Sequence, residues 1–190
     1  MQDIKIQNLC KAYGEKQVLN NFSTLLEYGK ITCIMGKSGA GKTTLFRILM
    51  NLEKQDSGTI TGLENKKIRA VFQEDRLCEE LDAISNIRLV NAKNDKKTVQ
   101  NALCKMGITE NKLVSTLSGG MKRRVSILRA LMSEFDVLFL DEPLKGLDKD
   151  TKQLVMHEMK HYFQNKTVIM ITHEIEEAEF FGGKIIEVEV

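Results

Sequence analysis

The stretch Gly36-Lys-Ser-Gly-Ala-Gly-Lys42-Thr43-Thr44 decides the fold. It matches the spacing G-x-x-x-x-G-K-[ST] at every fixed position, with a short apolar run before it and an amphipathic segment after it. Glycines let the backbone curl so that successive N–H groups point at phosphate oxygens, and the following helix adds the positive end of its dipole. Residues 36–44 are therefore predicted to form a phosphate loop that joins a strand to a helix.

Each part of the phosphate loop has a predicted task in binding ATP and Mg²⁺. Lys42 supplies a mobile positive charge for the β- and γ-phosphates, and the hydroxyl of Thr43 can bind Mg²⁺. The other nucleotide-binding positions are predicted to be Gly36, Ser38, Gly39, Ala40, Gly41 and Thr44. A glycine-rich turn with only a structural role would not explain the complete pattern in its strand-to-helix context.

Apolar patterning around the phosphate loop predicts an α/β fold. Short apolar or alternating runs, typical of strands, occur at residues 4–9, 31–35, 68–72, 137–140, 167–172 and 184–190. Helical spacing relates Leu45, Ile48, Leu49 and Leu52, and also Val155, Met159, Tyr162 and Phe163. This alternation predicts a P-loop NTPase core with a mostly parallel sheet and an N-terminal antiparallel β part.

The stretch from residue 74 to about residue 132 differs in character from its surroundings. It is polar, rich in lysine in places, and mostly helical in pattern, ending in a helix with Val125, Leu128 and Met132 on one face. We predict a single domain over residues 1–190. Residues 1–73 and 133–190 would form its nucleotide-binding core, and residues 74 to about 132 an inserted α-helical subdomain.

Composition excludes several classes of protein. The chain has 190 residues, 42% hydrophobic and 28% charged, and a formal net charge of +2, too close to neutral to indicate a nucleic-acid partner. Its apolar runs have the length of strands rather than of membrane spans, and the first residues lack the apolar core of a signal peptide. The four cysteines are scattered without a CxxC pair. We expect a cytoplasmic protein that binds no nucleic acid.

A pair of acidic residues follows the apolar run at residues 137–140. A buried strand would deliver Asp141 to the carboxyl edge of the sheet, where ligands bind in open α/β folds. There Asp141 can hold the metal ion, directly or through water, and Glu142 can polarise an attacking water. Strands often end in acids that only cap a helix or solvate a loop. The phosphate loop upstream favours the catalytic interpretation.

A second glycine-rich segment, Leu117-Ser118-Gly119-Gly120-Met121, precedes a basic amphipathic helix. Taken alone, it is better explained by a serine that caps a helix in a glycine-containing loop than by a second anion-binding site. Together with the phosphate loop, Gln73, Asp148 and His173, however, it makes the chain resemble the ATP-binding cassette (ABC) ATPases. The resemblance covers nearly the whole chain, and we call residues 117–121 the signature segment.

The resemblance implies roles for residues around the nucleotide. Tyr13 would stack on the adenine, although a tyrosine in an N-terminal strand can also serve packing alone. Gln73 would sense the γ-phosphate, Mg²⁺ and the attacking water, and would be a metal ligand beside Thr43 and Asp141. His173 would donate a hydrogen bond to the γ-phosphate and support Glu142.

The resemblance also implies a head-to-tail homodimer with two ATP molecules sandwiched between its chains. Ser118, Gly119 and Gly120 would contact the γ-phosphate of the ATP bound to the other copy. Asp148 would lie at the dimer interface. Hydrolysis would then be coupled to opening and closing of the dimer.

Several positions depart from the family's usual pattern. Met121 stands where the most common signature has Gln, and Arg123 where the motif often continues with Gln. Lys145 and Gly146 replace the small Ser-Ala pair that is more usual before Asp148. These positions bear on the strength of dimerisation rather than on the chemistry.

The resemblance favours the ATPase subunit of a membrane transporter of the importer type. Val71-Phe-Gln73-Glu-Asp-Arg-Leu77 is similar to the corresponding stretch in ATPases of nitrate, sulfonate, taurine and pyrimidine-precursor importers. In those systems the residues after Gln73 line a groove for a short permease helix. The implied partners are integral-membrane permease subunits and, for import, a solute-binding protein, with the chain peripheral on the inner face of the membrane.

Other functions remain open at this point. An ABC exporter with separate permease chains would share these motifs, and so would a soluble ABC ATPase in iron–sulfur assembly. An ABC ATPase of translation would have two cassettes in one chain, and this chain has one. A DNA-repair ATPase would carry a long coiled coil between Gln73 and Ser118. A small-molecule kinase with a phosphate loop would lack Gln73 and the signature segment. The cargo is set by the permease and the binding protein and is not encoded in this chain.

Overall fold

The structure is a computed structural model, and it describes residues 2–188. Its strands are β1 (Ile4–Tyr13), β2 (Lys16–Leu26), β3 (Ile31–Met35), β4 (Ser57–Thr61), β5 (Ile68–Val71), β6 (Val137–Asp141), β7 (Thr167–Ile171) and β8 (Lys184–Glu187). They form a parallel five-stranded sheet in the order β5-β6-β7-β3-β8 and an antiparallel three-stranded sheet in the order β2-β1-β4. The predicted α/β class with both sheet types is confirmed.

Six helices accompany the strands in the described part of the chain. They are α1 (Lys42–Leu49), α2 (Ala83–Arg88), α3 (Lys96–Lys105), α4 (Gly119–Leu131), α5 (Lys149–Tyr162) and α6 (Ile175–Phe181), with a 3-10 turn at Val114–Thr116. Helix α6 and strands β2 and β4 were not predicted from the pattern. Within residues 2–188, none of the helices is both long and apolar enough to cross a membrane.

The parallel sheet forms because its central strands are apolar on both faces. Every residue of β6 and β7 is buried. Along β6, Val137 and Phe139 face one apolar cluster, while Leu138 and Leu140 face the other. Helices must cover both faces of such a sheet. Helix α1 packs on the Phe139 face, and α2 to α5 contribute to the cluster on the opposite face.

The N-terminal strand breaks the simple alternation that its sequence suggests. Ile4, Ile6 and Leu9 are all buried, although the step from Ile6 to Leu9 is three residues. Asn8 lies between them in the left-handed region, with φ of 50°, and the register of β1 against β2 shifts there. A β-bulge therefore returns Leu9 to the core side of the strand.

Leu52 was predicted to extend the buried face of α1, and this prediction is wrong. The helix ends at Leu49, and Leu52 is 56% exposed. Asn51 adopts φ of 56°, and the amide of Leu52 donates to the carbonyl of Arg47 at 2.8 Å. This is a Schellman ending, in which a left-handed Asn stops the helix and turns the next residue outward.

The stretch between β5 and β6 is helical, as expected, and its helices begin at side-chain caps. Asp82, Asp95 and Ser118 accept hydrogen bonds from backbone amides at the starts of α2, α3 and α4. These helices share one apolar cluster with a face of the parallel sheet. The last predicted strand, residues 184–190, is present over Lys184–Glu187, and residues 189 and 190 lie outside the described residues.

The Phe139→Ala substitution should lower the free energy of unfolding by about 3–5 kcal/mol, since it opens a cavity beneath α1. Phe139 is fully buried, and its ring meets that of Phe46 edge-on with centroids 5.1 Å apart. Urea unfolding followed by circular dichroism measures the loss. The control, Leu154→Ala, removes a side chain that is 42% exposed and should cost less than about 1 kcal/mol. Equal losses for both variants would contradict this view of the core.

Candidate nucleotide and metal site

The phosphate loop lies between β3 and α1, where neighbouring backbone approaches it closely. Gly36 has φ of 144°, and a Cβ there would lie 2.4 Å from the carbonyl oxygen of Val188. Gly41 has φ of 86°, and a Cβ there would lie 2.6 Å from the carbonyl oxygen of Val18. Only glycine fits such positions, which explains these two glycines in the loop.

Lys42 begins α1 and turns its side chain inward over the loop. It is 6% exposed, and its Nζ donates to the carbonyl oxygens of Gly36 and Lys37 at 2.8 Å each. Burial lowers the pKa of Lys42, while the carboxylates of Glu142 and Asp141 oppose that change. The ammonium group is therefore held at the centre of the curled backbone.

A cavity of about 330 Å³ opens over the loop. The predicted site residues in its lining are Tyr13, Ser38, Gly39, Gly41, Lys42, Thr43, Thr44, Gln73, Glu142 and His173. Lys16 and Val18 also line it and were not predicted. Gly36 and the buried Ala40 shape the loop from behind rather than lining this cavity.

Asp141 is the last residue of β6, paired in register with Ile171. It is 4% exposed, and its Oδ2 accepts a hydrogen bond from Thr43 Oγ1 at 3.3 Å. Its Oδ1 is buried and has no hydrogen-bond partner among residues 2–188. Burial raises the pKa of Asp141, with the Glu142 carboxylate adding to the effect and the Gln73 amide opposing it.

The oxygen set at Asp141 fits a hard divalent cation. A buried carboxylate oxygen without a partner is costly unless something positive binds it. The Thr43 hydroxyl beside it is a second oxygen donor, and Gln73 lies close enough to affect the carboxyl pKa. Carboxylate, hydroxyl and amide oxygens are ligands that Mg²⁺ accepts.

Glu142 follows in a strained backbone conformation, with φ of 46°. Its amide donates to the carbonyl of Ile171 at 3.0 Å, so the turn is tied to β7. The Glu142 Oε1 lies 2.9 Å from His173 Nε2, and its Oε2 lies 2.6 Å from Lys145 Nζ. Burial alone would raise the pKa of Glu142, but the ion pair with Lys145 and the contact with His173 outweigh it and hold that pKa below its ordinary value.

The signature residues lie elsewhere in the single chain. Ser118 caps α4, where its Oγ accepts from the amide of Met121 at 3.3 Å. Gly119 and Gly120 line a second cavity of about 270 Å³, which shares Gln73 and Glu142 with the cavity over the phosphate loop. The structure therefore does not bring these residues into the cavity over their own chain's loop.

Asp148 and Tyr13 are both exposed, and Tyr13 borders the cavity over the phosphate loop. Asp148 caps α5, where its Oδ1 accepts from the amide of Thr151 at 3.0 Å, and this hydrogen bond lowers the pKa of Asp148. Tyr13 ends β1, is 49% exposed, and donates its hydroxyl proton to Glu53. Stacking of its ring on adenine stays a prediction.

Two basic residues at the site were seen in the sequence only as departures from a pattern. Lys145 pairs with Glu142 three positions earlier, a contact that depends on the left-handed turn at Glu142. Arg123 is 5% exposed and donates hydrogen bonds to the backbone carbonyls of Asp141 and Glu142. Its burial could not be read from the sequence, because the same basic helix also carries Arg124 and Arg129, which are more exposed.

Comparison with known proteins places this geometry in a family. The family model described as "ABC transporter" matches residues 19–145. The chain is 35% identical to the aliphatic sulfonates import ATP-binding protein SsuB of Zymomonas mobilis, an alignment that covers 98% of this chain and 82% of that protein. It is also 35% identical to the phosphonates import ATP-binding protein PhnC of Fusobacterium nucleatum, over 96% of this chain and 87% of that one.

A solved structure supports the same assignment. The dimeric post-hydrolysis structure of the ATP-binding cassette MJ0796, bound to ADP and Pi, aligns with a TM-score of 0.84 and 29% identity. The alignment covers 98% of this chain and 94% of that chain. The resemblance to importer-type ATPases that the sequence suggested is thus confirmed. The chain belongs to the ABC transporter family and is an ATP-binding, ATP-hydrolysing subunit of that family.

Proposed function

We propose that this chain hydrolyses ATP to power the import of a small solute through a separate membrane permease. One observation carries the proposal: the phosphate loop, Gln73, Glu142 and His173 line a single cavity, and Asp141 accepts a hydrogen bond from Thr43 of that lining. Phosphoryl transfer to water needs phosphate binding, a cation site and a base in this arrangement. The named importer ATPases among the relatives favour import over an exporter or a non-transport ATPase.

Glu142 is the proposed general base. Its lowered pKa keeps the carboxylate ionised at neutral pH, as an acceptor of a proton from water must be. His173 holds Oε1, so the carboxylate has a defined orientation at the cavity wall. Lys145 Nζ contacts the other carboxylate oxygen, Oε2. We expect this ion pair to loosen when the attacking water binds to Oε2 in place of the Lys145 ammonium group.

Thr43, Asp141 and Gln73 are the proposed Mg²⁺ ligands. The support is the unpartnered Asp141 Oδ1 next to the Thr43 hydroxyl. A bound Mg²⁺ would neutralise charge on the β- and γ-phosphate oxygens. Lys42 would add a second positive charge to the same phosphate oxygens.

The ATP-bound state is proposed to be a homodimer. Ser118, Gly119 and Gly120 do not line the cavity over their own phosphate loop, so their proposed task is to contact ATP on a second copy. The related cassette MJ0796 is dimeric in its solved structure. Lys145 and Gly146 border the cavity that contains Gly119 and Gly120, so they would lie close to the partner chain.

A groove beside Gln73 is the proposed docking site for the permease. The groove has a volume of about 440 Å³, and its walls include the exposed Leu52. They also include Phe72 and Arg76, whose guanidinium carbon lies 3.8 Å from the centroid of the Phe72 ring. The groove shares Gln73 and Thr43 with the nucleotide site, which would connect permease movement to hydrolysis. The chain would then be peripheral on the cytoplasmic face of the membrane, with a solute-binding protein outside.

The Glu142→Gln substitution tests the base assignment. The amide cannot accept the proton of water, so ATP turnover should fall by about 100-fold or more while ATP binding is retained. Phosphate release measures turnover, and sedimentation with ATP should show an accumulated dimer. Glu110→Gln, at an exposed position next to Lys112, is the matched control and should behave like the wild type. Wild-type turnover in Glu142→Gln would show that another group is the base.

The Leu52→Asp substitution tests the docking groove. A charge in place of this exposed apolar side chain should remove co-purification with a permease encoded by an adjacent gene, because burying an unpaired carboxylate is costly. Leu25→Asp, at another exposed leucine, on β2, is the matched control and should co-purify as before. Thermal unfolding verifies that both variants fold. Undiminished co-purification of Leu52→Asp would place the permease elsewhere on the surface.

A further inference from the structure

Arg123 is a buried cation that the proposed chemistry does not use. It lies on α4, five positions after Ser118, and is 5% exposed. A buried guanidinium carries a large desolvation cost unless its N–H groups all find acceptors. The acceptors of the Arg123 guanidinium therefore indicate the role of this side chain.

One side of the guanidinium holds the backbone beneath the catalytic carboxylates. Its Nη2 donates to the carbonyl oxygens of Asp141 at 3.0 Å and Glu142 at 2.8 Å, and its Nε donates to that of Pro143 at 2.8 Å. Three consecutive carbonyls are thus bound by one planar group. They flank the strained φ of Glu142, the residue whose side-chain direction matters most for attack on phosphate.

The other side of the guanidinium holds the segment that follows β5. Its Nη1 donates to the carbonyl oxygens of Phe72 and Gln73, and forms an ion pair with Asp75 Oδ1 at 3.2 Å. The carbonyl of Asp75 also accepts from Ser126 Oγ, one turn further along α4. The γ-phosphate sensor Gln73 is therefore attached to the same helix as the carboxylate turn.

We propose that Arg123 is a positioning residue through which α4 sets the geometry of Gln73, Asp141 and Glu142 for hydrolysis. The inference rests on the proposed roles of those three residues. Helix α4 is capped by Ser118, the residue proposed to contact ATP on the second copy. A shift of α4 on dimer closure is therefore passed to both carboxylates through Arg123. A rigid planar fork can hold several acceptors at fixed angles, which neither a lysine nor a glutamine can do.

The test compares Arg123→Lys and Arg123→Gln with the wild type. Arg123→Lys keeps the charge but loses the fork, and Arg123→Gln introduces the residue that is more usual in the family. We expect kcat to fall by about tenfold or more, because small displacements of catalytic groups are costly. KM for ATP and the affinity for a non-hydrolysable ATP analogue should change by less than about twofold. Arg123→Lys should retain more activity than Arg123→Gln.

Asp75→Asn extends the test to a position that is more tolerant of change. Asp75 has a side chain that is 26% exposed, and its replacement removes only the charged anchor of Nη1. It should lower kcat in the same direction with little effect on KM. Arg129→Lys is the matched control, since Arg129 also donates to the carbonyl of Asp75 but makes no hydrogen bond to residues 141–143. Its kcat should equal that of the wild type.

The outcomes separate this inference from the proposed function. Wild-type turnover in Glu142→Gln would overturn the base assignment on which the inference rests. Suppose that Glu142→Gln is inactive, while Asp75→Asn and either folded Arg123 variant keep the wild-type kcat. That result would overturn only the role of Arg123. Parallel losses of kcat and nucleotide affinity would also overturn it, since they indicate general damage. If neither Arg123 variant folds, the kcat of Asp75→Asn decides.

Discussion

The parallel pairing of β3, β7 and β6 is the constraint on which the site depends. Cys33 pairs with Met170, and Leu140 pairs with the same residue from the other side. Because parallel strands end at the same edge of a sheet, the phosphate loop, Asp141 and His173 emerge next to one another. The fully buried β6 and β7 leave this register little freedom, since a slip by one residue would exchange the two apolar faces.

Two neighbouring carboxylates acquire opposite properties at this edge. Asp141 is buried and keeps one oxygen without a partner, so its pKa is raised and a cation is needed to stabilise its charge. Glu142 is paired with Lys145 and His173, so its pKa is lowered despite partial burial. These different environments fit the proposed roles of Asp141 as a metal ligand and Glu142 as a base, as separated pKa values do in other enzymes.

The sequence predicted the groups whose chemistry requires a fixed spacing. One site contains the phosphate loop, the acidic pair after β6 and His173 after β7. Short motifs at strand ends can be recognised from their spacing alone, because their positions do not depend on how the side chains of the core pack. Helix α4 was predicted from its apolar face in the same way. The prediction failed at Leu52, because a left-handed asparagine can end a helix even where the apolar spacing continues.

Tertiary contacts were beyond what the sequence could predict. Arg123 pairs with backbone carbonyls from two distant segments, and backbone acceptors carry no residue-specific signal. Lys145 was visible as an unusual residue, but its contact with Glu142 depends on the left-handed turn at Glu142. Strands β2 and β4 were missed because they are partly exposed and carry many polar residues.

We propose that this chain carries half of a composite site, in which the phosphate loop of one copy meets the signature segment of another. The most direct measurement is ATPase activity per chain, taken at chain concentrations that span the monomer–dimer transition seen by sedimentation with ATP. Activity per chain should rise through that transition and level off once the dimer dominates. Equal activity per chain below and above the transition would show that a single chain holds the complete site.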